Sequence, residues 1–204
     1  MSIQEQLVQV SQQAYREKMF AATSGNLSVF DRESGKIYIT PGSFPYEEMT
    51  PEDIMVIDLD GNVLSGKHNP SSEWRMHTAI YRADARVNAI VHTHSPYATA
   101  FAINHMRIPA VLYEMVFFLN GDIPVAEGAV PGTEAVGTNC VPVLKNRYGC
   151  LMANHGALAI GDTLQRAYTR AVYIEDAAKA YSLALNHGKI YEIGEDAENE
   201  IRSR

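Results

Sequence analysis

The sequence predicts an α/β protein that forms one domain over residues 1–204, and three observations support this prediction. Apolar residues at helical spacing open the chain and recur in a long segment near its carboxy terminus. Short β-branched runs bounded by turn residues lie between these two segments. The 204 residues, 46% of them hydrophobic, suffice for one substantial core.

Two helices are predicted near the ends of the chain. Ser2 and Glu5 form a capping-box pattern ahead of apolar residues at helical spacing, so the first helix should begin here and end near Met19. A longer helix is predicted over residues 164–185, where apolar residues again follow a helical pattern. The charged segment 195–204 is predicted to fray.

Three strands and a further helix are predicted in the first half of the chain. Residues 27–30 and 36–39 flank a short polar turn, which predicts a β-hairpin. Another strand is predicted over residues 54–58. Residues 69–72 are typical of a turn and lead into a helix that is predicted over about residues 73–82.

The strongest functional signal is a pair of histidines at the end of a predicted strand. Residues 89–94 have the sequence Ala-Ile-Val-His-Thr-His. His92 and His94 project from the same face because residues two apart on a strand do so. Ser95 and Pro96 are typical of the cap and first residue of a helix. Both imidazoles can therefore bind one metal ion where the strand ends.

A third histidine lies in a similar setting. Residues 149–153 are predicted to form a buried strand, and His155 follows beside Gly156, where glycine permits close backbone approach. Three neutral imidazoles with an open position are typical of catalytic zinc, whereas closed structural sites usually carry thiolates. Singly, each histidine has an ordinary structural interpretation, but together they predict a zinc enzyme.

The remaining candidate ligands have competing interpretations on residues alone. An acidic residue at the start of a helix, such as Glu73, complements the helix dipole, and this interpretation is favoured for it. His77 lies four residues later on the same helical face, where packing is favoured over support of a metal ligand. His68, His105 and His187 have no comparable context and are predicted to be structural.

Charge and composition argue against several classes of partner. The net charge of −7 argues against nucleic acid, whose binding requires concentrated Lys and Arg. No apolar run approaches the roughly 20 residues of a membrane span, and two cysteines imply no disulfide framework. We expect a cytoplasmic protein without a nucleic-acid or membrane partner. A small phosphorylated substrate stays open, because backbone amides can hold a phosphate without a basic surface.

Six short motifs together resemble one protein family. In chain order they are Gly25-Asn26-Leu27-Ser28, Ile39-Thr40-Pro41, Pro45-Tyr46-Glu47, Pro70-Ser71-Ser72-Glu73, His92-Thr93-His94 and Asn154-His155-Gly156. Each is weak alone, but their order and spacing over roughly residues 5 to 185 resemble the class II aldolase/adducin family. Within that family, residues 70–75 are most similar to the L-fuculose-1-phosphate aldolases.

The resemblance implies a three-layer α/β/α sandwich around a mixed, largely antiparallel sheet. It also implies a homotetramer with active sites at subunit interfaces. By resemblance, His92, His94 and His155 hold Zn²⁺, while Glu73 is a fourth ligand that moves aside to act as acid/base. This role benefits from a raised pKa. The interpretation of Glu73 therefore reverses in favour of function.

The resemblance also implies a phosphate-binding region and a second catalytic residue. The residues that correspond to the family's phosphate-binding loops are Gly25, Asn26, Ser43, Ser71 and Ser72. Tyr113 resembles a family tyrosine that reaches a neighbouring subunit's site and donates a proton to the aldehyde oxygen. Taken alone, the loop residues would be ordinary turn and cap residues, and Tyr113 a core residue.

Several residues depart from the family pattern. Gly42-Ser43 stands where the aldolase usually has Thr-Gly, and bulky residues at 115–118 replace small ones. Pro131 stands where an aromatic residue commonly lines the aldehyde pocket, and we find no clear equivalent of the family's carboxy-terminal tyrosine. These departures affect the identity of the expected aldehyde more than the type of reaction that the resemblance implies.

Four functions are compared on this basis. The first is a zinc-dependent aldehyde-lyase that reversibly cleaves L-fuculose 1-phosphate, or a 5-deoxypentulose or methylthio analogue, into dihydroxyacetone phosphate and an aldehyde. The second is a methylthioribulose-1-phosphate dehydratase or a pentulose-phosphate 4-epimerase, although the epimerase has aspartate where this chain has Glu73. The third is a non-catalytic adducin-like interaction protein, against which the complete ligand set argues. The fourth, a zinc hydrolase, lacks the expected HExxH helix.

Overall fold

An eight-stranded mixed sheet forms the middle layer of this computed structural model, which describes residues 1–203. The strands are β1 (Asn26–Asp31), β2 (Lys36–Ile39), β3 (Met55–Ile57), β4 (Val63–Ser65), β5 (Ala89–Thr93), β6 (Val125–Ala126), β7 (Gly149–Met152) and β8 (Gly156–Gly161). Their spatial order is β4-β3-β2-β1-β5-β8-β7-β6. Among these eight described strands, only β6 and β7 pair in parallel. The prediction of a mixed, largely antiparallel sheet is confirmed.

Helices cover both faces of the sheet. They are α1 (Ile3–Arg16), α2 (Trp74–Ala83), α3 (Pro96–Ile103), α4 (Glu134–Leu144), α5 (Leu164–Ala184) and α6 (Glu195–Arg202). One hydrophobic cluster joins the sheet to α1, α3 and α5, and a second joins its other face to α2 and α4. This arrangement confirms the predicted three-layer sandwich. No helix within residues 1–203 is long and apolar enough to cross a membrane.

The alternation along β5 sets the direction of the first histidine. Ala89 and Val91 belong to the cluster under α1, α3 and α5, whereas Ile90 belongs to the cluster under α2 and α4. His92 lies two residues after Ile90 and therefore points to the α2 side of the sheet. The same side carries Glu73, which directly precedes α2.

Several predicted boundaries differ from the structure. The first helix ends at Arg16 rather than near Met19, and the strand predicted over residues 54–58 is shorter, whereas the hairpin and the long helix α5 are confirmed. The prediction that residues 195–204 fray is wrong for α6; Arg204 lies outside the described residues. The Arg202 guanidinium donates hydrogen bonds to the side-chain oxygen and to the backbone oxygen of Asn120. These two bonds stabilise α6 by fixing it to the rest of the protein.

Candidate metal centre and active site

Three separate segments bring Glu73, His92, His94 and His155 together. His92 lies in β5 and His94 directly follows it, His155 lies in the turn between β7 and β8, and Glu73 is the N-cap residue of α2. Gly156 permits this approach, because a Cβ there would lie 2.3 Å from the carbonyl oxygen of Thr93. One potential ligand atom from each of the four residues lies within 4.8 Å of all the others.

The nitrogen and oxygen atoms of this cluster face one another at short range. Glu73 Oε2 lies 3.1 Å from His92 Nε2, and Glu73 Oε1 lies 3.2 Å from His155 Nε2. The Nε2 atoms of His94 and His92 lie 3.0 Å apart. Two imidazole lone pairs that face each other at this distance repel unless a proton or a cation lies between them.

The donor set fits a divalent metal ion. His92 Nδ1 donates to the backbone carbonyl of Ala157 at 2.9 Å, which leaves Nε2 free as a ligand. Glu73 Oε1 is buried and accepts no hydrogen bond. A buried carboxylate oxygen without a donor is explained by a cation in the cluster. Three imidazole nitrogens and one carboxylate oxygen are a ligand set that zinc accepts.

Burial and neighbouring charge set the ionisation of the ligands. Burial alone would raise the pKa of Glu73, but the imidazoles of His155 and His92 outweigh this effect and hold the pKa well below its ordinary value. Burial, with the nearby His92 and His155, lowers the pKa of His94 to about 4. An ionised carboxylate and a neutral imidazole are the forms that bind metal.

A cavity of about 460 Å³ opens over the cluster and contains all five predicted phosphate-binding residues. Of these, Ser43 and Ser72 are exposed, whereas Asn26 and Ser71 are buried. Ser71 accepts a hydrogen bond from the backbone N–H of Glu73 at 3.3 Å. The Asn26 amide donates to Glu73 Oε2 at 2.9 Å. Two predicted phosphate contacts therefore also support the candidate acid/base.

Two residues singled out for the aldehyde side of the site lie in different places. Pro131 lines the cavity, beside the glutamate and the histidines. Tyr113 lies outside the cavity and is 61% exposed, so its interpretation as a core residue is wrong. A large exposed aromatic side chain is typical of a contact surface.

Sequence reasoning missed the part that His77 plays, since packing was favoured for it. The His77 ring is fully buried, yet both ring nitrogens form hydrogen bonds, one to Asn26 and one to Ser28. The available signal was its position four residues after Glu73 on one helical face. His105 likewise contacts the site, through a 2.7 Å hydrogen bond to Asn154.

Comparison with known proteins agrees with this geometry. The family model of the class II aldolase and adducin N-terminal domain matches residues 5–182. The chain belongs to this family. The four clustered ligands therefore lie within the part of the chain that defines the family.

Individual family members resemble the chain over most of its length. A 5-deoxy-D-ribulose 1-phosphate aldolase of Bacillus thuringiensis serovar kurstaki is 36% identical over 188 residues, which cover 90% of this chain and 88% of that relative. A 5-methylthioribulose-1-phosphate/5-deoxyribulose-1-phosphate aldolase of Rhodospirillum rubrum is 35% identical over 175 residues, which cover 86% and 78%. A solved L-fuculose 1-phosphate aldolase superposes with a TM-score of 0.94 at 34% identity, covering 98% of this chain and 94% of that one.

Proposed function

We propose that this protein is a zinc-dependent class II aldolase that reversibly cleaves a ketose 1-phosphate into dihydroxyacetone phosphate and an aldehyde. The observation that carries this proposal is the convergence of Glu73 and three histidines beside a cavity that is also lined by the proposed phosphate-binding residues Gly25, Asn26, Ser43, Ser71 and Ser72. The names of the family relatives support 5-deoxypentulose 1-phosphates and L-fuculose 1-phosphate as substrates. Such a substrate has both a phosphate and a carbonyl-hydroxyl pair to be recognised.

The residues that would hold the metal are His92, His94, His155 and Glu73, within the ligand distances described above. When bound, zinc supplies a Lewis acid that stabilises the negative charge left on the ketone half when the carbon–carbon bond breaks. The chain needs no Schiff-base lysine for this step. Glu73 and His92 are buried and His94 and His155 are half-buried, and this burial limits the access of water to the reacting centre and strengthens electrostatic interactions there.

Glu73 is the acid/base in this proposal. In cleavage it donates a proton to the carbon that becomes the hydroxymethyl group of dihydroxyacetone phosphate, and in condensation it removes that proton. Two neighbouring imidazoles are the main cause of the low pKa of Glu73. Moving the carboxylate away from those imidazoles removes this effect, so burial then raises the pKa toward the range that acid/base catalysis needs.

The phosphate is proposed to bind at the loops Gly25–Asn26, Ser43 and Ser71–Ser72. The serine pair lies immediately before Glu73, the N-cap residue of α2, at a helix start where backbone N–H groups and the helix dipole favour an anion. The exposed hydroxyls of Ser43 and Ser72 line the same cavity. Recognition by hydroxyls and amides agrees with the net charge of −7, since it requires no basic surface.

We further propose a homotetramer in which Tyr113 acts in the site of a neighbouring subunit. In cleavage, its phenolate accepts the hydroxyl proton as the aldehyde forms, and in condensation its hydroxyl returns that proton. The exposed Tyr113, Phe117 and Phe118 lie close in sequence and provide an apolar surface for a subunit contact. The expectations of a single domain and a cytoplasmic location stay predictions.

A shared active site predicts complementation between two inactive variants. Tyr113→Phe should lower kcat by about 10²-fold or more, because proton transfer at the aldehyde oxygen is lost. Tetramers assembled from Tyr113→Phe and Glu73→Gln subunits should regain activity, since some sites then combine an intact glutamate with an intact tyrosine. Activity is measured after co-expression with two affinity tags and purification on both. Hybrid tetramers as inactive as either parent would contradict a shared site.

Product analysis with a panel of ketose 1-phosphates tests the proposed reaction. We expect the protein to release dihydroxyacetone phosphate from 5-deoxy-D-ribulose 1-phosphate and from L-fuculose 1-phosphate. The release is monitored with an NADH-coupled assay. Consumption of 5-methylthioribulose 1-phosphate with a product lighter by one water and no dihydroxyacetone phosphate would identify a dehydratase instead. Failure of the zinc-loaded protein to consume any of these substrates would overturn the proposal.

A further inference from the structure

A chain of four hydrogen bonds runs from Glu73 into the interior behind the metal centre. Asn26 Nδ2 donates to Glu73 Oε2 at 2.9 Å, and His77 Nε2 lies 2.5 Å from Asn26 Oδ1. On the other side of the ring, His77 Nδ1 lies 2.6 Å from Ser28 Oγ, which in turn lies 2.6 Å from the Tyr81 hydroxyl. We call these five residues the Tyr81–Glu73 chain.

Two regular elements place these side chains in line. Asn26 and Ser28 are two apart on β1 and therefore share the face that packs under α2. Glu73, His77 and Tyr81 are spaced by four residues at and along α2, so they share one helical face. The polar stripes of the strand and the helix thus meet inside an otherwise apolar layer.

The interior part of the Tyr81–Glu73 chain is closed to solvent. His77 and Ser28 are 0% exposed, Tyr81 is 1% exposed and Asn26 is 3% exposed. A buried polar group without a partner is destabilising, so these groups must satisfy one another. The hydrogen bonds are therefore constrained by the number of donors and acceptors within the chain.

Donor and acceptor chemistry allows one direction along the chain. The ionised Glu73 carboxylate can only accept, so Asn26 presents its N–H₂ to Glu73 and its oxygen to His77. His77 must then donate through Nε2. Burial lowers the pKa of His77 to about 3, so the ring is neutral and its Nδ1 accepts from Ser28. Burial also raises the pKa of Tyr81, which keeps its hydroxyl protonated as the terminal donor.

We propose that His77 is a positioning residue, fixed by Ser28 and Tyr81, that locks the Asn26 amide and thereby orients the Glu73 carboxylate toward the metal. If His77 did not donate to Asn26 Oδ1, the amide could rotate and present its oxygen to Glu73, where two acceptors would repel. The role in catalysis rests on the proposed function of Glu73. The role in metal binding rests only on the four clustered ligands.

Two substitutions of His77 separate this role from packing. In His77→Gln the amide nitrogen replaces Nε2 and keeps a donor for Asn26, whereas in His77→Asn the shorter side chain replaces only Nδ1 and loses that donor. Zinc affinity is measured by competition with a chromogenic chelator after the metal has been removed. We expect His77→Asn to weaken zinc binding about 10- to 100-fold, and His77→Gln to stay within a few-fold of the parent.

Thermal unfolding and a tautomer measurement complete the experiment. Each variant loses one of the two hydrogen bonds that the His77 ring makes. A purely structural role of His77 therefore predicts that both variants lose zinc affinity equally and in proportion to their loss of Tm. That outcome would overturn the proposal. If His77→Asn fails to fold, Ser28→Ala, which removes the donor to His77 Nδ1, is compared with the parent by the same zinc competition, and an unchanged affinity would overturn the proposal. In ¹⁵N-histidine-labelled parent protein, His77 should carry its proton on Nε2, and a proton on Nδ1 alone would overturn the proposed direction.

These measurements do not depend on turnover. If zinc affinity separates the two variants but no ketose 1-phosphate is cleaved, the positioning role of His77 stands and the proposed function fails. If cleavage is observed but both variants bind zinc alike, the proposed function stands and the positioning role fails. In an active enzyme, His77→Asn should lower kcat more than it changes KM, because the phosphate contacts at Gly25, Ser43, Ser71 and Ser72 are left in place.

Discussion

Replacing Glu73 by glutamine should lower kcat for aldol cleavage by about 10²- to 10⁴-fold, the range that a positioned acid/base contributes. Glutamine has nearly the same shape and keeps an oxygen for the metal, but it cannot take up or return a proton. The change should therefore affect kcat far more than KM. The measurement is the rate of dihydroxyacetone phosphate release by the zinc-loaded variant, with its zinc content determined in parallel.

Glu52→Gln is the matched control for this experiment. Glu52 is exposed and distant in sequence from the four ligands, so the same chemical change there should leave kcat within about twofold of the parent. A Glu73→Gln enzyme that binds zinc and retains most of its activity would show that another group moves the proton. The proposed role of Glu73 would then be wrong.

Replacing His155 by alanine should remove a ligand from the metal centre and with it most of the activity. Losing an outer partner of a metal ligand typically costs about 10- to 100-fold in metal affinity, so losing the ligand itself should exceed that range. Glu73 Oε1 would also lose its nearest imidazole, which lies 3.2 Å away. The measurement is zinc affinity by chelator competition, together with cleavage activity at saturating zinc.

His187→Ala provides the comparison for this loss, because His187 is exposed and lies beyond α5. Its zinc affinity and activity should match those of the parent. If His155→Ala bound one zinc ion per chain as tightly as the parent, the ligand set proposed for this protein would be incorrect. If His155→Ala lost cleavage activity but kept its zinc affinity, His155 would contact the substrate rather than the metal.

The pairing of His92 and His94 was predictable because their common orientation follows from local geometry. Alternation along a strand places His92 and His94 on one face whatever the rest of the fold is. The position of Glu73 was not predictable in this way, since an acidic residue before a helix is common and its function depends on where α2 lies over the sheet. The family resemblance, rather than the residue pattern, supplied that tertiary information.

Hydrogen bonds between distant segments were beyond residue-based reasoning. His77 and Asn26 are 51 residues apart in sequence, and their contact exists only because β1 packs under α2. In the sequence, a buried histidine lies within the same apolar pattern whether or not its ring nitrogens form hydrogen bonds. Only the four-residue spacing between Glu73 and His77 pointed to a shared face.

Helix α4 and strand β8 are two of the elements that the sequence analysis did not predict, and the structure explains why. Helix α4 contains Pro142, which normally interrupts a helix, and Gly137, which lowers helix propensity. Tertiary packing overrides both, because a Cβ at Gly137 would lie 2.5 Å from the carbonyl oxygen of Met76 and glycine permits α4 to approach α2. Strand β8 is a fully buried run without alternation, and such a run does not distinguish strand from helix.

Removal and restoration of the metal tests the central claim most directly. The protein is treated with a chelator, dialysed, and assayed for dihydroxyacetone phosphate release from 5-deoxy-D-ribulose 1-phosphate and L-fuculose 1-phosphate before and after addition of zinc. The proposed mechanism predicts no release without metal and recovery on addition of one zinc ion per chain. Cleavage at an unchanged rate in the metal-free protein would contradict it, as would absence of cleavage in protein with zinc confirmed at the histidine cluster.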